Sequence, residues 1–353
     1  MTLIRVLAFP AYKNKNSNPY NYLLYSGIEE FNISVREFSF MSCLSLRYDV
    51  IHIHWPEIYL NSNYLIKNIF YSVALLLSLF TAKVFSKKII WTAHNLKPHH
   101  IKYKLLNTLF WKCYLRLVSG VVSLSESNEK LLFKELKELH NLPAVHIHHG
   151  LYKGFYPDNT TSEQARNRLS LDNNSNVSLF IGQVKRYKNV EVLINLFSHS
   201  PHLKESILII AGKFESEAYF QEINTMAQSN KNIIIHNKFI PDTELQYYFR
   251  AADLCIFPFK DIFNSGSVLL SVSFDTPVLV PHSPNFEEYS LLVNKGLIST
   301  YTEQIKPEDI VAMLNDPSEK QNLYSDKNLG CEAILWPILQ SKLAGFYNQV
   351  LSQ

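Results

Sequence analysis

The sequence has few of the features that mark several large classes of protein. Its four cysteines, Cys43, Cys113, Cys255 and Cys331, form no CxxC pair and show no metal-ligand spacing. This pattern favours buried free thiols and a reducing compartment. The formal charge of +3 lacks the basic excess of a dedicated nucleic-acid binder, so we expect no nucleic-acid partner. Charged residues make up 18% and hydrophobic residues 47%, which indicates a chain with a large core.

Export signals and long hydrophobic runs are also missing. Met1 is followed by the strand-like LIRVLAF, without the basic and apolar regions of a secretory signal, so we expect a cytoplasmic protein. The uninterrupted apolar stretch from Ile69 to Phe80 is shorter than the about 18 residues that span a bilayer. Lysines flank it within Tyr64–Lys88, which fits an interfacial helix at the cytoplasmic face of the membrane; a buried helix of the fold fits equally well.

What the sequence does contain is a regular alternation of apolar runs with helical patterns, typical of an α/β protein with parallel sheets. A stretch rich in turn formers, from Gly150 to Asn176, interrupts the alternation. We predict a Rossmann-like domain over 1–160, a second one over 161–332, and a final helix in 333–353 that packs back on the first domain. The predicted strands begin near Leu3, Ile33, Val50, Ile89, Gly120, Ala144, Val177, Ile207, Ile233, Leu254 and Val278.

Two doubly wound domains in series bind ligands at the carboxyl ends of their strands, so we expect both sets of loops to face one central cleft. In FIGQVKRYKNV, Gly182 ends a strand, and Lys185, Arg186 and Lys188 surround the start of the next helix. This segment is either a solvated basic turn or a phosphate site.

A second candidate anion site follows the strand near Leu254. There, Ser265, Gly266 and Ser267 precede an apolar helical run and can leave backbone N–H donors available at its start. Ser-Gly-Ser alone is a common helix cap. Two such loops after strands of one domain favour a diphosphate ligand.

Residues from about Phe180 to Val280 carry a family resemblance. The order FIGQVKRYKNVEVLI, LIIAGK, FIPDTELQYYFRAADLCIFPF and SGSVLLSVSFDTPVLV resembles the donor-binding half of GT-B glycosyltransferases, close to glycosyltransferase family 4. The resemblance implies that Gly182 and Lys188 hold the diphosphate of a nucleotide sugar, with Arg186 or Lys185 as companion. It also implies that Phe239 and Ile240 lie near the base and that the Ser265–Ser267 segment approaches the phosphates.

The chain departs from this family at one place. Many members carry two glutamates ahead of a GxPV motif, and the matching positions, counted back from Pro277, hold Ile262 and Leu270. Contacts to the ribose and the donor sugar must therefore be made by other residues.

The amino-terminal half is similar to bacterial GT-B transferases of surface polysaccharide assembly. YDVIHIHWPE and IIWTAHNLKPHH carry this similarity, which implies that His94 lies beside the donor sugar. Glu57 and His94 are the candidate general bases. The pairs His52/His54 and His146/His148 make a metal conceivable, but such pairs are more often structural, and no Asp-x-Asp clamp occurs, so we expect no metal.

These observations predict a metal-independent glycosyltransferase, with the family leaning weakly to retention of configuration. It would move a sugar from a UDP- or GDP-linked donor, with no other cofactor, to a hydroxyl of a lipid-linked glycan. Two alternatives stay open: a non-catalytic sugar-nucleotide or glycan-binding partner of a polysaccharide synthase, and a sugar-nucleotide epimerase of the same fold.

Overall fold

The computed structural model describes residues 2–96, 102–260, 264–315 and 331–353. The chain divides into two compact units. Unit 1 comprises Met1–Gly150 and Ala333–Gln353, and unit 2 comprises Leu151–Glu332. The boundary thus falls ten residues before the sequence-based boundary between residues 160 and 161.

Unit 1 contains a six-stranded parallel sheet in the order β2-β1-β3-β4-β5-β6. Every residue of β3 and β5 is buried, because helices cover the sheet, and this burial explains their uninterrupted apolar character. The strands are β1 (Ile4–Phe9), β2 (Ile33–Glu37), β3 (Val50–Ile53), β4 (Lys88–Thr92), β5 (Gly120–Ser123) and β6 (Ala144–His146).

The helices of unit 1 connect these strands and close the unit with the end of the chain. They are α1 (Tyr20–Tyr25), α2 (Phe40–Leu44), α3 (Leu65–Val84), α4 (Lys104–Leu117), α5 (Glu126–Glu135) and, from the carboxyl-terminal segment, α13 (Trp336–Leu351).

Helix α13 packs within unit 1. The Gln340 side chain donates hydrogen bonds to the carbonyl oxygens of Leu23 (2.9 Å) and Ser26 (2.6 Å), which tie α13 to the end of α1. A β-carbon at Gly120 would lie 3.0 Å from both Phe346 and Val350, so glycine allows α13 to lie against β5. The final helix is therefore part of the first unit.

Unit 2 repeats the architecture with a six-stranded parallel sheet in the order β12-β11-β10-β7-β8-β9. Helix α7 shows why the sheet is covered: Val190, Leu193, Ile194 and Phe197 form one buried face at helical spacing. The strands are β7 (Val177–Ile181), β8 (Ile207–Ala211), β9 (Ile233–His236), β10 (Leu254–Ile256), β11 (Val278–Pro281) and β12 (Ile298–Tyr301).

The helices of unit 2 connect its strands, and two of them, α6 and α9, have only seven residues. They are α6 (Ser162–Arg168), α7 (Val190–His199), α8 (Glu217–Ala227), α9 (Leu245–Ala251), α10 (Gly266–Ser273), α11 (Pro284–Leu292) and α12 (Pro307–Asn315).

The alternation of two Rossmann-like sheets is confirmed, with two differences in detail. Strand β12 was not predicted, because its two central residues, Ser299 and Thr300, are polar and not buried, so it lacks a continuous apolar run. The expectation of buried thiols is wrong for Cys113, which is exposed on α4, whereas the other three cysteines are buried and free.

A buried ion pair anchors α6 to the sheet of unit 2. The Arg166 guanidinium lies 2.8 Å from the Asp253 carboxylate, and it also donates to the carbonyl oxygens of Asn173 (2.7 Å) and Ser175 (3.0 Å). Asp253 additionally accepts a hydrogen bond from the Val177 backbone at the start of β7.

We expect Arg166→Ala to lower the free energy of unfolding by about 3 to 5 kcal/mol, because the variant leaves the Asp253 charge without its partner. Urea unfolding of the full chain measures the change, and Arg168→Ala on the exposed face of α6 is the matched control. An equal effect of both variants would contradict the anchoring role.

Candidate active site

The sheet of unit 2 has its topological switch point between β7 and β10. Strands β8 and β9 lie on one side of β7, and β10 to β12 lie on the other. Loops that leave the two central strands turn in opposite directions, and the crevice between them is where ligands of such sheets bind. The two loops here contain Gly182 to Lys188 and the start of α10.

Gly182 lies at the centre of this crevice. Its φ of 120° belongs to a backbone region that favours glycine. A β-carbon at this position would lie 3.1 Å from the Ser267 Oγ and 3.5 Å from the Lys188 Nζ. Three residues from the two loops therefore converge, and a side chain at position 182 would crowd Ser267 and Lys188.

Lys188 brings a buried positive charge to this point. It is 8% exposed, and its Nζ lies 5.7 Å from the ring centroid of Phe180 and 5.9 Å from that of Phe259. Burial, aided by the charge of Lys185, lowers the Lys188 pKa to about 8. Among the described residues, no carboxylate forms an ion pair with it. An anionic ligand would supply the missing partner.

The other two basic residues of the loop differ in their surroundings. Arg186 is exposed, its guanidinium lies 2.6 Å from the Glu222 carboxylate, and it covers the Tyr219 ring at 4.5 Å. Its charge is therefore engaged with α8. Lys185 is half-buried, and its carbonyl accepts the backbone N–H of Lys188 at 2.9 Å. Of the two predicted companions, Lys185 is the one whose charge lowers the pKa of Lys188.

The Ser265–Ser267 segment forms the start of α10. The Ser265 Oγ accepts a hydrogen bond from the Val268 backbone, which caps the helix. The backbone N–H groups of the first turn and the helix dipole favour an anion at this end, beside Ser267 and Gly182. A β-carbon at Gly266 would lie 3.3 Å from the Tyr152 hydroxyl, so this turn has little spare space.

The predicted base-binding loop follows β9. The Phe239 ring is exposed and the Ile240 side chain is buried, so Phe239 presents an aromatic face to solvent while Ile240 anchors the loop. Strand β9 is separated from β7 by β8, and the role of Phe239 and Ile240 stays a prediction. Of the two positions that depart from the family, Leu270 is half-buried on α10 and Ile262 lies outside the described residues.

In unit 1, histidines and tyrosines form a buried hydrogen-bonded network at the carboxyl ends of β3 and β4. The Tyr25 hydroxyl contacts His52 Nδ1 at 2.9 Å and His54 Nε2 at 2.7 Å, and His54 Nδ1 contacts His94 Nε2 at 3.0 Å. His52 also contacts the Tyr347 hydroxyl and the Thr92 Oγ1, each at 2.7 Å. Both nitrogens of His52 and of His54 are thus hydrogen-bonded within the protein.

This network determines the protonation state of its members. Burial lowers the pKa of His52 to about 3 and that of His149 to about 4, and it lowers the pKa values of His54 and His94 well below the ordinary range. All four rings are therefore neutral near pH 7. The neutral form is the one that a general base needs, but the lowered pKa makes His94 a weaker base than an ordinary imidazole.

His94 and Glu57 occupy neighbouring loops at this end of the sheet. The Trp55 ring stacks on His94 with centroids 4.1 Å apart, which fixes the plane of the imidazole. Glu57 is half-buried, and burial raises its pKa although the Asn95 side chain hydrogen-bonds it. A carboxylate with a raised pKa is a stronger base than an ordinary one.

The first loop of unit 1 already contains an anion from the protein itself. The Glu37 carboxylate, at the end of β2, accepts hydrogen bonds from the backbone of Ala11 (3.2 Å), Tyr12 (3.0 Å) and Lys13 (3.2 Å). Backbone donors after the first strand bind phosphate in many sheets of this type. Here they are used internally, so the diphosphate site is expected in unit 2.

Sequence reasoning missed the tyrosines of the network. Tyr25 and Tyr347 hold His52, and the buried Tyr20 ring packs edge-on against His94 with centroids 5.1 Å apart. Nothing in the local sequence of α1 or α13 indicates that their tyrosines contact His52 and His94. Asn21, in the short helix α1, is buried and donates its side-chain N–H to the Pro10 carbonyl.

The chain is similar to several known proteins. Residues 161–325 match the family model described as glycosyl transferases group 1. This segment is a glycosyl transferases group 1 domain. The chain is 24% identical over 318 residues to a GDP-mannose:glycolipid 4-beta-D-mannosyltransferase of Xanthomonas campestris pv. campestris, covering 88% of this chain and 83% of the relative.

Solved structures show the GT-B fold for the whole chain. HepE of Anabaena, solved in complex with UDP and glucose, has a TM-score of 0.61 at 14% identity and covers 99% of this chain and 98% of its own. Sucrose-phosphate synthase of Thermosynechococcus elongatus has a TM-score of 0.62 at 14% identity and covers 88% of this chain and 76% of its own. The glycosyltransferase domain and the GT-B fold are thus confirmed.

We expect a nucleoside diphosphate to raise the melting temperature of the wild type through binding to the folded state. Lys188→Ala should weaken binding about tenfold to a hundredfold, because a charge-assisted hydrogen bond is lost. Binding should also weaken as the pH rises above about 8, where Lys188 loses its proton. Thermal-shift titrations test this, with the exposed Lys204→Ala as control; equal shifts in all three proteins would contradict the assignment.

The histidine network predicts loss of stability in acid. The folded-state pKa values lie below the ordinary value of 6.5, so the unfolded chain binds more protons, and stability falls as the pH drops from about 6.5 toward 4. His52→Gln should flatten this slope by about 1.4 kcal/mol per pH unit, the contribution of one proton. Urea unfolding at several pH values measures it; the same slope in the variant would contradict the prediction, and the exposed His202→Gln should leave the slope unchanged.

Proposed function

We propose that this protein transfers mannose from GDP-mannose to a hydroxyl of a lipid-linked glycan in surface polysaccharide assembly. The observation that carries the proposal is the convergence of Gly182, Lys188 and Ser267 at the switch point of a glycosyltransferase domain. A buried cation beside a helix start suits the diphosphate of a sugar nucleotide.

The choice of donor and acceptor is supported by the curated relative. Its name gives GDP-mannose as donor and a glycolipid as acceptor, and the similarity extends over 88% of this chain. HepE, whose structure contains UDP, shares the fold at only 14% identity. Its nucleotide is therefore weaker support for the identity of the donor base than the name of the mannosyltransferase relative. We therefore favour GDP over UDP.

Lys188 would stabilise the departing diphosphate. Negative charge develops on the leaving oxygen as the glycosidic bond breaks, and preorganised cations and N–H donors lower the energy of that state. The Lys188 ammonium, the first turn of α10 and the nearby Lys185 supply such groups. In this proposal they provide the positive charge that a divalent cation provides in other transferases, so the reaction is metal-independent.

The stereochemical course depends on the product. The relative is named for a β-linked product, and GDP-mannose carries mannose in α linkage, so the same reaction here requires inversion. Inversion differs from the weak family leaning toward retention, and it needs a base to take the acceptor proton. Glu57, with its raised pKa, and the neutral His94 are the candidates in unit 1.

A transfer assay tests the proposal. Full-length protein should move labelled mannose from GDP-mannose to a lipid-linked oligosaccharide acceptor, and NMR of the product should show a β-linkage. Lys188→Ala should reduce transfer at least about a hundredfold, because the leaving group loses its main cation. Lys204→Ala should retain full activity.

The alternatives give different results. A non-catalytic partner would bind the nucleotide yet show no transfer under any donor, and it would still support its synthase when Lys188 is replaced. An epimerase would convert the free donor without an acceptor. An α-linked product would support retention and remove the need for Glu57 or His94 as base.

A further inference from the structure

Helix α3 presents its large apolar side chains to solvent. Phe70 is 66% exposed and Leu77 is 60% exposed, in a helix of 20 residues. Spacings that alternate between three and four place these residues on one line along the helix. We call this line the outer stripe; it comprises Ile66, Phe70, Val73, Leu77, Phe80 and Val84.

The opposite face of α3 is buried and combines the leucines Leu75 and Leu79 with small polar residues. Ser72 and Ala82 are buried, and Asn68 both accepts from the Ser62 backbone N–H (2.9 Å) and donates to its carbonyl (3.0 Å). A surface helix normally turns its large apolar residues inward. Helix α3 therefore carries large apolar residues on both faces, and the expectation of an ordinary buried helix does not hold for the outer stripe.

Helix α4, next to α3, also exposes large apolar side chains. It packs beside α3, and its Leu105 and Leu109 are 75% and 53% exposed. In the described part of the chain, α3 is the one helix long and apolar enough to cross a bilayer. Its inner face, however, packs against α2, α4 and β4, so α3 is held as a covering helix of the sheet.

The charge of this region is entirely positive. The 68 residues from Ile58 to Ser125 contain no aspartate or glutamate, although the whole chain has a net charge of only +3. The same stretch contains nine basic residues: Lys67, Lys83, Lys87, Lys88, Lys97, Lys102, Lys104, Lys112 and Arg116. Basic residues around an exposed apolar stripe are typical of surfaces that bind anionic lipid.

We propose that the outer stripe, with Leu105 and Leu109, docks unit 1 on an anionic lipid bilayer, with α3 lying parallel to the membrane plane. The apolar side chains enter the boundary between headgroups and acyl chains, and the lysines contact lipid phosphates. Docking requires neither sugar nucleotide nor acceptor, so it stands apart from the proposed reaction.

A second copy of the chain is the competing occupant of this surface. A twofold interface would place the same patch against itself. Basic residues would then oppose basic residues, with no acidic residue between 58 and 125 to pair with them. The charge pattern therefore favours lipid phosphate over self-association.

Vesicle flotation with the full chain tests the proposal. The protein should bind phosphatidylcholine vesicles that contain phosphatidylglycerol, bind pure phosphatidylcholine weakly, and lose affinity in high salt. Phe70→Ser and Leu77→Ser should each weaken binding about tenfold, because a large apolar side chain no longer enters the membrane. The exposed Leu291→Ser in unit 2 is the matched control and should bind like the wild type.

Cys113 supplies an independent readout at the same surface. It is the exposed cysteine, four residues after Leu109 on α4, so an environment-sensitive fluorophore on its thiol should shift to the blue with anionic vesicles. Unchanged melting temperatures would show that the stripe variants fold. Absence of vesicle binding, or equal binding by all variants, would overturn the proposal. A wild-type dimer that Phe70→Ser dissociates in ultracentrifugation would overturn it in favour of a second copy.

Discussion

The burial of the Lys188 ammonium is the constraint on which the account of unit 2 depends. A cation 8% exposed between two phenylalanine rings is unfavourable unless an anion accompanies it. The fold places it where the loops after β7 and β10 meet, beside a glycine backbone and a helix start. The burial of an unpaired ammonium makes the free site unfavourable, and pairing with a diphosphate would offset that cost. In the proposed reaction the same ammonium would stabilise the negative charge that develops on the leaving diphosphate.

Unit 1 uses similar architecture for another purpose. Its first loop has its backbone donors occupied by Glu37, and polar chemistry is concentrated in a neutral network of histidines and tyrosines. In the proposed function, unit 2 would bind the phosphate and unit 1 would supply the base. This proposed division of roles rests on which polar groups each unit leaves available, since both units contain a six-stranded parallel sheet.

The sequence predicts the fold well because the strands are short, buried and bounded by turn residues. It also locates Gly182 and Lys188, since a glycine after a strand and a lysine before a helix are local signals. It could not assign Arg186 to Glu222, which lies 36 positions away, or link Tyr347 to His52, which lies 295 positions away. The sequence alone also could not tell which face of α3 is buried, because leucines occur on both faces: Leu75 and Leu79 are buried and Leu77 is exposed.

A crystal structure of the full chain with GDP would test the central claim most directly. The account predicts that the β-phosphate lies over Gly182, within hydrogen-bonding distance of the Lys188 Nζ and of the Ser267 hydroxyl. A diphosphate bound elsewhere, with Lys188 paired to a protein carboxylate, would contradict it.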